Sequence, residues 1–439
     1  MWRALTIALC FAQPALAQEF FTLKGHGGPI MDIAVAPSGQ IATASFDNSV
    51  GIWDGTDPQW LEGHRAAVTS LSYDMAPALL SGSDDFRVLL WHPYADTPVT
   101  VTEHLGKVSS IALHPSGDFI ASAGWDGFVN LTTLTKPSQS LDAPPRDFAT
   151  TVLRGHRSNV TAVAFGPDGT LFSASSDGTI RVWNGQMPDL TSRVFVKHGF
   201  GINQMVVTAD WIAYGAVDGG TRMVSTENGK HIADFTLERR PILSMAYHAG
   251  SDRLAVGDGE GFIMLIDTQT RKITRDFRAT LNGPIWALAF SADGQNLHAG
   301  GIEDTLYSWP VSTMDTHAPM DGGTRSFLEK PETLGNGERQ FKRKCSICHT
   351  LTAGSARKAG PSLHNLFGRR AGTVADYTYS DTLEGSPIVW TADTINALFD
   401  EGPDHYIPGT KMPMQRIVKR TDRDDLIDYL RRETALQEN

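Results

Sequence analysis

Cysteine is almost absent from this chain: three in 439 residues, at positions 10, 345 and 348. That excludes a disulfide framework and leaves the pair Cys345 and Cys348 needing another explanation. Long apolar runs are missing too. After the first residues no segment approaches the roughly 20 apolar residues that cross a bilayer. There is no positive excess either, since 38 Lys+Arg face 49 Asp+Glu for a net charge of −11. A nucleic-acid binder would be basic, so that class is discounted. Over the first 311 residues no His-x-x-x-His pair, carboxylate dyad or nucleophile elbow stands out.

What is present begins with Met1-Trp2-Arg3, an apolar run from Ala4 to Ala12, and Pro14-Ala15-Leu16-Ala17. A positive start, a short apolar core and an Ala-x-Ala exit predict a secretory signal peptide over 1–17, cut after Ala17. The run is too short for a membrane anchor. Cys10 suggests a lipoprotein signal, but Leu9 is larger than the small residue such processing prefers. The expected location is therefore the periplasm, with no membrane span after cleavage. The chain is too long for one ordinary core, which suggests two or three domains.

A repeat of about 40 residues fills the front of the sequence, with blocks beginning near Lys24, Glu62, Glu103, Arg154, Lys197, Glu238 and Ala279. The fourth block is clearest. Gly155-His156 leads into the apolar run Val160–Phe165, the turn Pro167-Asp168-Gly169, the run Leu171–Ser175, Asp177-Gly178, and Ile180–Trp183. Such blocks read as four-stranded antiparallel sheets. They resemble the WD-repeat family of β-propellers over about residues 20–311. Three blocks carry the family's His, Asp and Trp: His26, Asp47 and Trp53; His64, Asp85 and Trp91; His156, Asp177 and Trp183. The resemblance implies a buried hydrogen-bonded network in each blade. The other blocks are degenerate: Asp126 with Thr132, Asp218 with Val224, Glu260 with Ile266, and Glu303 with Trp309. His104 and His198 are placed like the network histidines, while His114 and His248 fall at expected hairpin turns. The segment Phe20–Leu23 is expected to close the last blade, and the Pro-rich stretch Lys136–Ala149 to be a surface insertion.

Residues 312–331 have linker composition, and helical spacing follows over Glu332–Lys344 and Asp424–Arg432. Residues 332–439 carry 15 charges of each sign, so the whole net charge falls on the first 331. The run Cys345-Ser346-Ile347-Cys348-His349 has the spacing of covalent haem attachment. One helical turn sets both thiols along one haem edge and brings the next imidazole to the iron. A zinc or redox Cys-x-x-Cys is the alternative, but it lacks a second ligand pair.

Downstream lie Gly360-Pro361, Arg369, Tyr377, Tyr379, Trp390 and Pro408-Gly409-Thr410-Lys411-Met412-Pro413-Met414. With the Cys-x-x-Cys-His run, this succession is similar to class I cytochrome c along nearly all of 332–436. The resemblance implies a multidomain chain: an all-β seven-bladed propeller over 18–311, a linker, and an all-α cytochrome c domain over 332–439. It implies one covalent haem c on Cys345 and Cys348, with His349 as proximal and Met412 as distal ligand. Met414 is the rival ligand, while His364 and His405 match non-ligand positions. The Pro361 carbonyl would accept the His349 ring N–H. Arg369, Tyr379 and Trp390 would bond the propionates, and Gly337 and Phe341 would pack on Tyr429 and Leu430.

His/Met ligation leaves iron no open site, so one-electron transfer is expected rather than substrate chemistry. Lys342, Arg343, Lys344, Arg357, Lys358, Lys411, Arg416, Lys419 and Arg420 form a candidate docking ring for the acidic propeller or for a periplasmic redox partner of unknown identity. An oxidoreductase with its active site on the propeller is the second class, and the absence of convergent polar motifs there disfavours it.

Overall fold

The computed structural model describes residues 19–73, 78–92, 97–134, 148–320, 333–380 and 382–435. The expected signal peptide, most of the 136–149 insertion and residues 321–331 of the linker lie outside the described residues.

Seven four-stranded antiparallel sheets form the propeller. Blade 4, for example, runs through Val160–Phe165, Leu171–Ser175, Thr179–Gln186 and Asp189–Lys197. In blades 1, 2 and 4 every position of the second strand is buried: Ile41–Ser45, Leu79–Ser83 and Leu171–Ser175. Both faces of such a strand are covered by neighbouring blades, so inside-outside polarity gives way to small residues that let the blades approach. The core accordingly lies between blades, where Ala42, Ala44 and Val50 of blade 1 meet Val68, Leu71 and Leu79 of blade 2. Phe21–Lys24 pairs with Thr305–Pro310, Phe21 opposite Ser308 and Lys24 opposite Thr305, and so completes blade 7 from the chain's other end. This closure removes the open edge that a strand array would otherwise present.

A series of side-chain bonds links the innermost strands of successive blades, from blade 1 to blade 7. The hydroxyl of Thr69 donates to the Val108 carbonyl at 2.6 Å, Ser109 to Val160 at 2.6 Å, and Thr161 to Ile202 at 2.5 Å. The Asn203 amide continues to Ile242 at 2.8 Å and the Ser244 hydroxyl to Ile285 at 2.9 Å. Between blades 1 and 2 the Asp32 carboxylate accepts the Leu71 N–H at 2.6 Å, and burial pushes its pKa up to about 7.

The helical region contains α1 (Asn336–Lys344), α2 (Ala392–Glu401), α3 (Pro403–Tyr406) and α4 (Arg420–Glu433). Gly337 and Phe341 are the buried residues of α1, and the Phe341 ring lies 5.7 Å from that of Tyr429 on α4. Among the described residues no helix is long and apolar enough to cross a membrane. The first part of the 312–331 stretch packs on the propeller: Met314 and Met320 are buried beside Trp309, and Met320 bridges to Thr280.

Candidate functional site

The network histidines of blades 1 to 4 have both ring nitrogens engaged. In blade 4 the Trp183 indole donates to the Ser173 hydroxyl at 2.9 Å. That hydroxyl lies 2.7 Å from His156 Nε2, and His156 Nδ1 lies 3.1 Å from Asp177. The directions are mutually consistent: indole to hydroxyl, hydroxyl to Nε2, and Nδ1–H to carboxylate. Blades 1 and 2 repeat the chain through Trp53, Thr43, His26 and Asp47, and through Trp91, Ser81, His64 and Asp85. Burial alone would raise the Asp47 carboxyl, but the bond and charge of His26 outweigh it and hold the pKa low.

The degenerate blades keep parts of this chain. Blade 3 retains His104, bonded to Ser122 at 2.8 Å and Asp126 at 3.0 Å, with Thr132 in the Trp place. In blade 5 His198 turns its Nε2 to Asp218 at 3.0 Å and faces Arg222 with Nδ1. In blade 6 the buried carboxylate is Asp258, held by Arg239 at 2.7 Å, while Glu260 is exposed. The turn there has shifted its acid by two residues, which the Glu260 register misses.

The helical domain differs in having a cavity of about 790 Å³. Cys345 caps α1, and Cys348 and His349 follow on one turn, with their N–H groups donating to the Cys345 carbonyl at 3.0 and 2.9 Å. All three side chains line the cavity. Burial pushes the Cys345 thiol up to about 12 and that of Cys348 up to about 11. No group of three or more His, Cys, Asp or Glu among the described residues is placed to hold a metal ion, so the zinc alternative lacks its ligand set. His349 Nδ1 lies 2.7 Å from the Pro361 carbonyl oxygen. Its ring passes so close to Gly360 that a Cβ there would sit 2.4 Å from Cε1, so glycine is required. With Nδ1–H given to the carbonyl, Nε2 keeps its lone pair. Burial lowers the pKa of His349, and the Pro361 bond opposes that shift.

The remaining predicted residues fall as follows. Met412 lines the cavity; Met414 does not, being half exposed with its sulfur packed against Gly402. Arg369, Tyr379 and Trp390 all line the cavity. The Arg369 guanidinium already donates to the His364 and Ser362 carbonyls at 2.6 and 2.8 Å, and Tyr379 accepts the Val374 N–H at 3.3 Å. Two residues were not singled out from sequence. Ser380 Oγ and Gln415 Oε1 are buried on the cavity wall without a hydrogen-bond partner among the described residues. Their only sequence signal is position beside Tyr379 and Met414.

These features fit a haem: a large, mostly apolar void, two thiols and an imidazole on one turn, a thioether on the wall, and unanswered polar atoms beside it. The cytochrome c family model matches residues 334–433. Cytochrome c of Cochliobolus lunatus is 48% identical over 98 residues, 22% of this chain and 90% of that protein. The chain belongs to the cytochrome c family. Cytochrome c of Arabidopsis thaliana is 48% identical over 98 residues, 87% of its length, and that of Nigella damascena 44% over 113 residues, 99% of its length. The cytochrome c domain thus accounts for about a quarter of the chain, and it implies haem binding and electron transfer. The propeller accounts for most of the rest: the WD domain, G-beta repeat model matches residues 17–54, 56–92, 97–131 and 148–184.

Proposed function

We propose that this chain is a periplasmic one-electron carrier with a single covalent haem c ligated by His349 and Met412, carried on a propeller that serves as its docking scaffold. The observation that carries the reading is the pair of cavity-facing groups without competing partners. His349 has its Nδ1 side on the Pro361 carbonyl, and Met412 reaches the cavity while Met414 turns away.

Bound there, the haem supplies a reversible one-electron site. Cys345 and Cys348 would fix it by thioether bonds. The Pro361 carbonyl orients the imidazole and holds the proton on Nδ1. The apolar wall of Leu363, Leu366, Ile395, Leu398 and Phe399 excludes water. Trp390, Tyr379 and Ser380 offer donors for the propionates, with Arg369 adding charge from behind. A Met412 thioether on the iron would favour the reduced state and, with His349, would leave no site for a small substrate. The histidines at the network positions of blades 1–5 are bonded to blade carboxylates, which supports a scaffold role for the propeller.

The ligand assignment is tested by substitution in the holoprotein. Met412→Ala should abolish the methionine–iron charge-transfer band and lower the potential, while Met414→Ala leaves both in place. The reverse pattern would move the role to Met414.

A further inference from the structure

The cavity is not enclosed by the cytochrome c domain alone. Its mouth is walled by the propeller, through Phe46, Asn48, Arg65, Asp84, Phe86 and Lys107 of the loops at one end of blades 1–3. The same mouth carries Lys344, Cys345, Cys348 and Lys411 of the cytochrome c domain. Phe86 holds its ring there from a left-handed backbone, φ 75°, a conformation costly for a bulky residue.

A second contact holds the two domains together beside this mouth. The Arg357 guanidinium lies over the Trp60 ring at 4.1 Å and pairs with Glu62 at 3.1 Å. Ala356 and Arg357 are both left-handed, φ 47° and 52°, and press their carbonyls onto Gly27. A Cβ on Gly27 would lie 2.2 Å from the Arg357 oxygen, and its nearest neighbours all belong to Ala356 and Arg357. Gly27 follows the network histidine of blade 1, and its N–H bonds Asp47. In blades 2, 3 and 4 that position holds Arg65, Leu105 and Arg157, whose N–H groups make the same bond. The blade itself therefore tolerates a large side chain there. Glycine stands at this place in blade 1, where the cytochrome c domain lies over it.

We propose that the propeller caps the open side of the haem pocket in cis, with Arg357 as the clasp on Trp60, Glu62 and Gly27. The inference rests on the haem reading above and adds a regulation to it. The covered edge is closed to a protein-sized redox partner until the clasp opens, while a small oxidant still reaches it. The clasp is weak enough to yield: an exposed ion pair and one stacked cation together are worth about a factor of ten in an equilibrium.

The test uses the full-length holoprotein. Gly27→Val wedges the contact sterically, with Gly27→Ala as the milder wedge should the first fail to fold. Arg357→Glu breaks it by charge, and Arg357→Glu with Glu62→Arg restores an ion pair. Amide hydrogen exchange is read in the 25–29 and 353–360 segments, and oxidation of the reduced haem is timed with ferricyanide and with a blue-copper protein. In the wedge and the single charge variant, exchange in both segments and the blue-copper rate should rise about tenfold. The ferricyanide rate should stay within about twofold, and the charge swap should reverse the change. Unchanged exchange in both variants, or ferricyanide and blue-copper rates that rise together, would overturn the cap. A wild-type chain without a haem band would instead overturn the haem reading, and that is visible before any variant is made.

Discussion

His156 in blade 4 and His349 on the turn after α1 both leave water on folding, but only His156 has both ring nitrogens answered by side chains. His156 lies between Ser173 and Asp177. His349 is anchored on one side, by the Pro361 carbonyl, and its ring lines a cavity. The first arrangement consumes the residue's chemistry in holding a small blade together; a satisfied buried network rigidifies and specifies a fold. The second leaves a directed lone pair facing a void. Residue type and burial do not separate a structural histidine from a ligand; the count of unanswered polar atoms around it does.

Substitutions at five positions sharpen this contrast, in order of expected effect. His349→Ala should remove the low-spin haem spectrum, and Cys345→Ala or Cys348→Ala should weaken or remove the covalent haem band on denaturing electrophoresis; the thermal midpoint of the propeller should not move. His156→Ala should do the opposite. It strands the Asp177 carboxylate and the Ser173–Trp183 pair, at a cost of about 2 to 3 kcal/mol, and should lower the propeller's melting transition with the haem spectrum intact. Loss of haem in His156→Ala, or of propeller stability in His349→Ala, would break the contrast.

The smallest effect concerns Asp32, the junction carboxyl between blades 1 and 2. Burial raises its pKa from 3.8 to about 7. Folding therefore favours its protonated form. Its contribution is fully present below about pH 4 and is lost as pH rises through about 7. Asp32→Asn should give up one of two backbone N–H bonds but stay neutral. Its stability relative to the wild type should therefore climb over that interval, measured by denaturant unfolding at several pH values.

Much of this was legible in the sequence, for identifiable reasons. The Gly-His, Asp and Trp spacing of blades 1, 2 and 4 reflects a network that needs all three groups, so it survives as a pattern. Blades 5 to 7 use substitutes, such as Arg222 beside His198 or the Arg239–Asp258 pair, and no pattern marks them in advance. The closing strand Phe21–Lys24 was legible because the last block lacked an outer strand of its own. The turn carrying Cys345, Cys348 and His349 was legible because covalent attachment tolerates little variation in spacing. The propeller's contacts with the cavity mouth and with Arg357 were not, because Phe86, Trp60 and Glu62 belong to no motif and meet the helical domain only through the tertiary fold. The packing of Met314 and Met320 on blade 7 escaped for the same reason, since their surroundings read as linker composition.

The central claim is that His349 holds a redox-active haem iron while the histidines of the blade networks are structural. Its most direct test is a spectroelectrochemical titration of the full-length holoprotein beside His349→Ala and His156→Ala. The expected result is one reversible one-electron wave in the wild type, the same wave in His156→Ala, and its loss or large displacement in His349→Ala. A second wave in the wild type, or a wave in His349→Ala indistinguishable from the wild type, would contradict it.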